Sequence, residues 1–136
     1  MAEKTRVVVS SGKRKTAVAR AVVRPGRGRI WINNKPVEIH EPLLAREKIL
    51  EPVILARDAA ARLDIRVQVQ GGGVMGQASA ARTAIARGIV LHAGDPELTK
   101  RLRTYDRFLL VNDDRRKLPK MQLGRGARKR RQKSYR

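Results

Sequence analysis

Ile65, Val67 and Val69 alternate with Arg66, Gln68 and Gln70, the period-two pattern of a strand with one buried and one polar face. Residues 5–11, 16–24 and 29–33 are rich in Val, Ile and Thr or alternate in the same way, and predict three earlier strands. Residues 12–15 predict a basic loop between the first two. Pro25, Gly26 and Gly28 predict a turn before the third, and Asn33, Asn34 and Pro36 lead into a further short strand around residues 37–39. The N-terminal third is therefore expected to be a basic β-meander.

The period then changes. Pro42 opens a helical stretch through residue 63, with Leu43, Leu44, Ile49, Leu50, Val53 and Ile54 as its apolar positions and Pro52 expected to break or kink it into two short helices. After the strand of Ile65, Val67 and Val69 comes a glycine loop. From residue 76 to about 92, Ala78, Ala81, Ile85, Gly88 and Ile89 share one helical face, and their small size permits close packing on a sheet. Asp95 has the form of an N-cap with Pro96 at the first helical position, and Leu98 and Leu102 face inward until the helix ends near Thr104. The element order predicts an α+β fold: a meander, then helix, strand and helix.

At 136 residues the chain is long enough for one core and short for two. It has no cysteine, which excludes disulfides and thiolate metal sites, and its two histidines cannot build a structural zinc site alone. A cytosolic location is expected. No apolar run is long enough to span a bilayer, and the first residues lack the apolar segment of a signal peptide.

Charge changes the picture more than composition does. The net charge is +20, and its distribution is uneven. Residues 1–37 hold ten bases against Glu3 alone, residues 38–114 hold eleven acids and eleven bases, and residues 115–136 hold eleven bases and no acid. This divides the chain into a globular body, 1–114, and a basic tail, 115–136. The tail repels itself, its apolar residues are scattered, and it is expected to stay disordered until a polyanion neutralises it. Fully extended it could reach on the order of 70 Å, at about 3.3 Å per residue. It lacks the apolar stripe that a membrane would favour, so nucleic acid is the expected partner and no membrane is.

Several motifs suggest chemistry. Gly71, Gly73 and Gly76 satisfy G-x-G-x-x-G between a strand and a helix, with Asp95 about twenty residues on. In a dinucleotide fold, however, that acid ends a second parallel strand, and here it begins a helix. The loop is left with three readings: contact with RNA phosphate through amides at a helix N-terminus, a purely structural tight turn, or a nucleotide site. Gly12, Lys13, Arg14, Lys15 and Thr16 resemble half of a P-loop without its upstream glycine. His40 and Glu41, adjacent on an expected strand, would point to opposite faces, and His92 is expected to be a satisfied core histidine. No catalytic constellation results, and the chain is read as not an enzyme, with no cofactor and no metal.

Trp31, Tyr105, Phe108 and Tyr135 are too few and too dispersed for a base-stacking platform. The 22 arginines against 10 lysines suit bidentate phosphate contacts and recognition of folded RNA by shape.

Gly71-Gly72-Gly73-Val74-Met75-Gly76-Gln77, continuing through Ala80, Ala84, Ala86, Arg87, Gly88 and Ile89, resembles the signature of the small ribosomal subunit protein nine family, the universal uS-nine family. Gly12-Lys13-Arg14-Lys15-Thr16-Ala17-Val18-Ala19-Arg20 resembles its N-terminal motif. Gln132-Lys133-Ser134-Tyr135-Arg136 resembles its C-terminal end, in the form found in archaeal and eukaryotic members. The resemblance implies a two-layer α/β sandwich with a left-handed crossover, a place in the small-subunit head on rRNA beside other head proteins, and a tail that reaches the anticodon stem-loop of P-site tRNA. It implies that Arg136 contacts that tRNA. Tyr135 stands where bacterial members carry lysine, so that lysine's phosphate contact does not carry over to it.

On this reading rRNA meets Lys13, Arg14, Lys15 and Arg20 near the start of the chain, and Gly71, Gly72, Gly73, Gln77 and Arg82 around the glycine loop. In the tail it meets Arg115, Arg116, Lys117, Lys120, Arg125, Arg128, Lys129, Arg130 and Arg131, while Lys133, Ser134, Tyr135 and Arg136 are assigned to tRNA. A small phosphotransfer enzyme using the glycine loop, or a free-standing RNA chaperone, are the alternatives from other classes.

Overall fold

The strand of Ile65, Val67 and Val69 is the centre of a five-stranded sheet. A computed structural model describes residues 6–136 of the chain; Thr5, the first residue of the expected opening strand, lies outside them. The strands are β1 (Val8–Arg14), β2 (Ala17–Pro25), β3 (Ile30–Ile32), β4 (Lys35–Pro36) and β5 (Leu63–Gln70), and the helices are α1 (Leu43–Leu55), α2 (Arg57–Ala60), α3 (Val74–Ala93) and α4 (Pro96–Tyr105). The order across the sheet is β1-β2-β5-β3-β4. Helices cover one face, giving the expected two-layer α+β sandwich.

The meander does not form. β5 inserts between β2 and β3, antiparallel to β2 from Val18↔Gln70 to Pro25↔Leu63 and parallel to β3 from Ile30↔Ile65 to Ile32↔Val67. An eight-residue strand satisfies far more of β2's backbone than three-residue β3 could. The expected strand at 37–39 is a 3-10 turn, because the short pairing strand ends at Pro36 and Val37 drops into the core.

Small residues bring α3 close to the sheet. Ala17, Ala19 and Ala21 on β2 are buried, as are Ala80, Ala81, Ala84 and Gly88 on α3. A Cβ on Gly88 would stand 2.6 Å from Val23 Cγ2, and one on Gly12 would stand 2.2 Å from the Ala80 carbonyl oxygen and 2.7 Å from the Ala84 nitrogen. Gly12 is therefore a close-approach glycine inside β1, where a loop was expected; only Lys15 and Thr16 turn. Ser10 Oγ donates to the Ala84 carbonyl at 2.7 Å, so this buried hydroxyl is satisfied.

The stretch divides into two helices as expected, but at Ala56 and not at Pro52. Pro52 sits buried inside the first helix, which continues to Leu55 because α1 packs along α3 and supports its own last turn. Leu43, Leu44 and Ile54 of α1 remain exposed. The cap at the start of α4 is as expected: Asp95 Oδ1 accepts from the Glu97 amide at 2.9 Å, with Pro96 at the first position, and Leu98 and Leu102 are buried.

β1 is an edge strand, and the chain after α4 returns to cover part of it. Lys13 N donates to Asn112 Oδ1 at 3.2 Å, Arg14 and Asp113 form a parallel bridge, and Arg87 donates to both Ser11 O and Leu110 O. Residues 115–136 then continue without helix or strand.

Candidate nucleic-acid interface

The turn that links β5 to α3 needs glycine for two physical reasons. Gly71 and Gly72 have φ of 78° and 66°, the left-handed region, and a Cβ on Gly71 would stand 2.5 Å from the Thr16 carbonyl oxygen. The turn is thus pressed against the tip of the β1–β2 hairpin. Gln77 holds it from the other side, donating Nε2 to the Gly71 carbonyl at 3.1 Å. Gly73 is the residue before α3; nothing lies within 4 Å of where its Cβ would be, and no side chain caps the first amides of the helix. The helix begins two residues earlier than expected, at Val74.

Hairpin tip and helix start enclose one cavity of about 390 Å³, lined by Arg14, Lys15, Thr16, Lys48, Gly72, Gly73, Met75, Gly76 and Ser79. Amides at a helix N-terminus carry a partial positive charge, and here Lys15 and Lys48 add whole ones. The tail leaves from the same place: Arg14 Nη1 donates to the Arg115 carbonyl at 2.7 Å, and Arg116 Nη2 donates to the Lys15 carbonyl at 3.1 Å. Three cationic segments far apart in sequence therefore meet at one pole.

One carboxylate organises the junction. Asp113 accepts from the Arg115 amide at 3.0 Å and from its guanidinium at 2.7 Å and 2.9 Å, with Arg14 Nε at 3.6 Å. The Arg115 guanidinium beside it, then the Arg115 amide, hold this carboxyl far below the usual carboxylate range. Arg115 also lies 5.3 Å from the Phe108 ring centroid. Arg14 and Arg115 are thus partly neutralised at home, whereas Lys13, Lys15 and Arg116 are exposed and have no carboxylate partner among the described residues.

Arg82 is a correction. It was expected to meet RNA beside the glycine loop, but its side chain is only 10% exposed and lies between two acids, Glu51 Oε2 at 2.5 Å and Asp106 Oδ2 at 2.8 Å. Its position on the buried face of α3 points it inward, where it ties α3 to α1 and to the 3-10 turn Arg107–Leu109. Arg20 is exposed but stands mid-strand on the open side of the sheet, away from the pole. Lys117, Lys120, Arg125, Arg128, Lys129, Arg130, Arg131, Lys133, Ser134, Tyr135 and Arg136 are exposed along the tail, and the structure does not gather the last of these at the pole. Lys48 was missed: it belongs to the charge-neutral middle of the chain, and only the packing of α1 brings it to the hairpin tip.

His40 and Glu41 follow the 3-10 turn and are not on a strand. His92 is half-buried with Nε2 sealed from solvent and without a hydrogen-bond partner among the described residues, so it is not the satisfied core histidine that was expected. Among the described residues no group of three or more His, Asp or Glu could hold a metal, and no helix is long and apolar enough to cross a membrane.

A small α+β body with a glycine turn at a cationic pole, and a basic arm leaving from that pole, defines the class. Comparison with known proteins narrows it. The family model described as Ribosomal protein S9/S16 matches residues 12–136. A protein of Thermoplasma volcanium named small ribosomal subunit protein uS9 is 60% identical over 95% of this chain and 98% of its own length. Proteins of the same name from Methanothrix thermoacetophila and Desulfurococcus amylolyticus are 57% and 52% identical, over 96% and 100% of this chain and 99% and 97% of their own. The chain belongs to the ribosomal protein S9/S16 family.

Proposed function

We propose that this chain is a structural constituent of the small ribosomal subunit in the cytoplasm, that its cationic pole and tail bind rRNA in the head among neighbouring head proteins, and that its last four residues contact the anticodon stem-loop of P-site tRNA during translation. The observation that carries the reading is the convergence of Lys15, Lys48, the Gly71–Gly73 turn, the open start of α3 and Arg116 at one end of the body. Such a pole binds phosphate without reading a base, by charge and by helix amides that no side chain caps. The tail extends the same chemistry. Each base laid against phosphate releases condensed counterions, and the chain needs no structure of its own until RNA supplies one. Arg136, Tyr135, Ser134 and Lys133 then form the far end of an arm whose near end is fixed by Asp113. A cation there holds a tRNA backbone in place and leaves codon reading to base pairing. The function is positioning, not catalysis.

Small subunits assembled with a chain lacking residues 133–136 test the finest part of the reading. Assembly should proceed, while P-site tRNA should dissociate about tenfold faster, the equivalent of one charged hydrogen bond of ~1.4 kcal/mol. Unchanged tRNA affinity would count against the tRNA contact. For the rRNA contact, Gly73→Ala is the informative change at the loop, since it meets open space; Gly71 and Gly72 also hold the fold and cannot separate the two roles.

A further inference from the structure

We propose that the open face of the sheet, the side turned away from the helices, is a second RNA-binding surface that takes a phosphate backbone; this rests on the RNA-binding reading above and extends it from Lys13 and Arg20 to Arg24, Arg66, Gln68 and Gln70, which lie outside the motifs that carry the family resemblance.

Strand alternation builds the face. Lys13, Arg20, Arg24, Arg66, Gln68 and Gln70 are all exposed, and register places Arg20 opposite Gln68 and Val22 opposite Arg66, with Trp31 beside Arg66 on the next strand. Arg20 and Arg24 stand about 13 Å apart at ~3.3 Å per residue along one strand. Among the five strands the one acidic residue is Asp64. It is already engaged: its Oδ1 accepts from the Arg27 and Arg29 amides at 2.9 and 3.1 Å, and Arg29 Nη2 lies 3.4 Å from Oδ2. Among the described residues the cations of the face have no carboxylate partner of their own.

Trp31 decides what kind of contact this is. The guanidinium carbons of Arg29 and Arg66 each lie 5.2 Å from its ring centroid, so the ring is covered and unavailable for a base. Instead it braces two guanidinium groups, and Arg66 keeps its N–H fork free for phosphate. Amides of Gln68 and Gln70, with Asn34 beside them along a cavity of about 550 Å³, supply uncharged donors and acceptors suited to sugar hydroxyls. A protein partner with an acidic surface is the competing occupant; the family context and the length of the cationic grid favour RNA.

The test is salt-dependent binding of the full chain to small-subunit rRNA, comparing Arg20→Gln/Arg24→Gln/Arg66→Gln with a chain lacking residues 117–136. Each lost phosphate contact should make the slope of log K against log salt shallower by about 0.7–0.9, so the triple variant should lose about 2–3. Were the triple variant to keep the full slope while the shortened chain lost it, the sheet face would be overturned and the RNA-binding reading would stand. If neither variant changed the slope, that reading itself would fail. A photo-cross-linker at Gln68 in assembled subunits should give a nuclease-sensitive adduct; a protein adduct, or none, overturns the proposal.

Discussion

The two cationic ends of the chain differ in when their positions are decided. Lys13 and Lys15 project from a hairpin whose register is fixed by seven strand pairs and by Gly12 against α3. Their place relative to the helix start is set by folding, before any partner arrives. Beyond Arg116 the tail's cations have neither helix, strand nor ion pair among the described residues. Ordering them costs about 1–2 kcal/mol of backbone entropy per residue, which only contacts made on binding can offset. One end can therefore select a partner by shape, and the other can follow the partner's contour.

That contrast can be broken most severely at Gly12. Gly12→Val places side-chain atoms against two backbone groups of α3, so the body should lose about 3 kcal/mol or more and fail to give a cooperative thermal unfolding transition. Next comes Arg82→Met, which leaves Glu51 and Asp106 without their shared cation. Removing one partner of a buried pair costs roughly 3–5 kcal/mol, and because both acids are partly exposed the expected loss is about 2 kcal/mol in denaturant unfolding. Its rRNA salt slope should match that of the unaltered chain, which separates a tie inside the body from a contact outside it.

Acid should act next. Asp64 and Asp106 both lie below their ordinary value of 3.8. For Asp64 the Arg27 amide is the largest cause; for Asp106 burial is the largest single influence and raises it, but the Phe108 amide and Arg82 together outweigh it. Groups lowered in this way stabilise the fold fully above the unfolded value and lose that contribution as pH falls through the folded one. The melting temperature should be flat above about pH 5 and drop below about pH 4; a drop already complete at pH 5 would contradict the assignment. Smallest is the effect of removing residues 117–136 on the body. Unfolding should shift by less than about 0.5 kcal/mol, as for a segment outside the core, while the rRNA salt slope falls steeply.

Some of this was legible in the sequence and some was not, for identifiable reasons. β5, the buried face of α3 and the Asp95–Pro96 cap are written in local periodicity and capping chemistry, and the structure has all three. The place of β5 between β2 and β3 is a pairing between residues some forty positions apart, which no local pattern encodes. Gly12 looked like a turn glycine because basic neighbours surround it; what distinguishes it is a helix from elsewhere in the chain. Arg82 could have been found. It falls on the same helical face as Ala78, Ala81, Ile85 and Ile89, and an arginine on a buried face calls for acids, which Glu51 and Asp106 supply. Lys48 and the brace of Arg66 on Trp31 depend on tertiary placement alone.

The residues that lead into the tail have a second consequence. Asn112 and Asp113 lie along the later half of β1, with Arg87 bonded to Ser11 beside them, and so occupy the margin where a sheet otherwise invites a strand from another molecule. The body thus carries its own guard against self-association, built from the residues that lead into its basic arm.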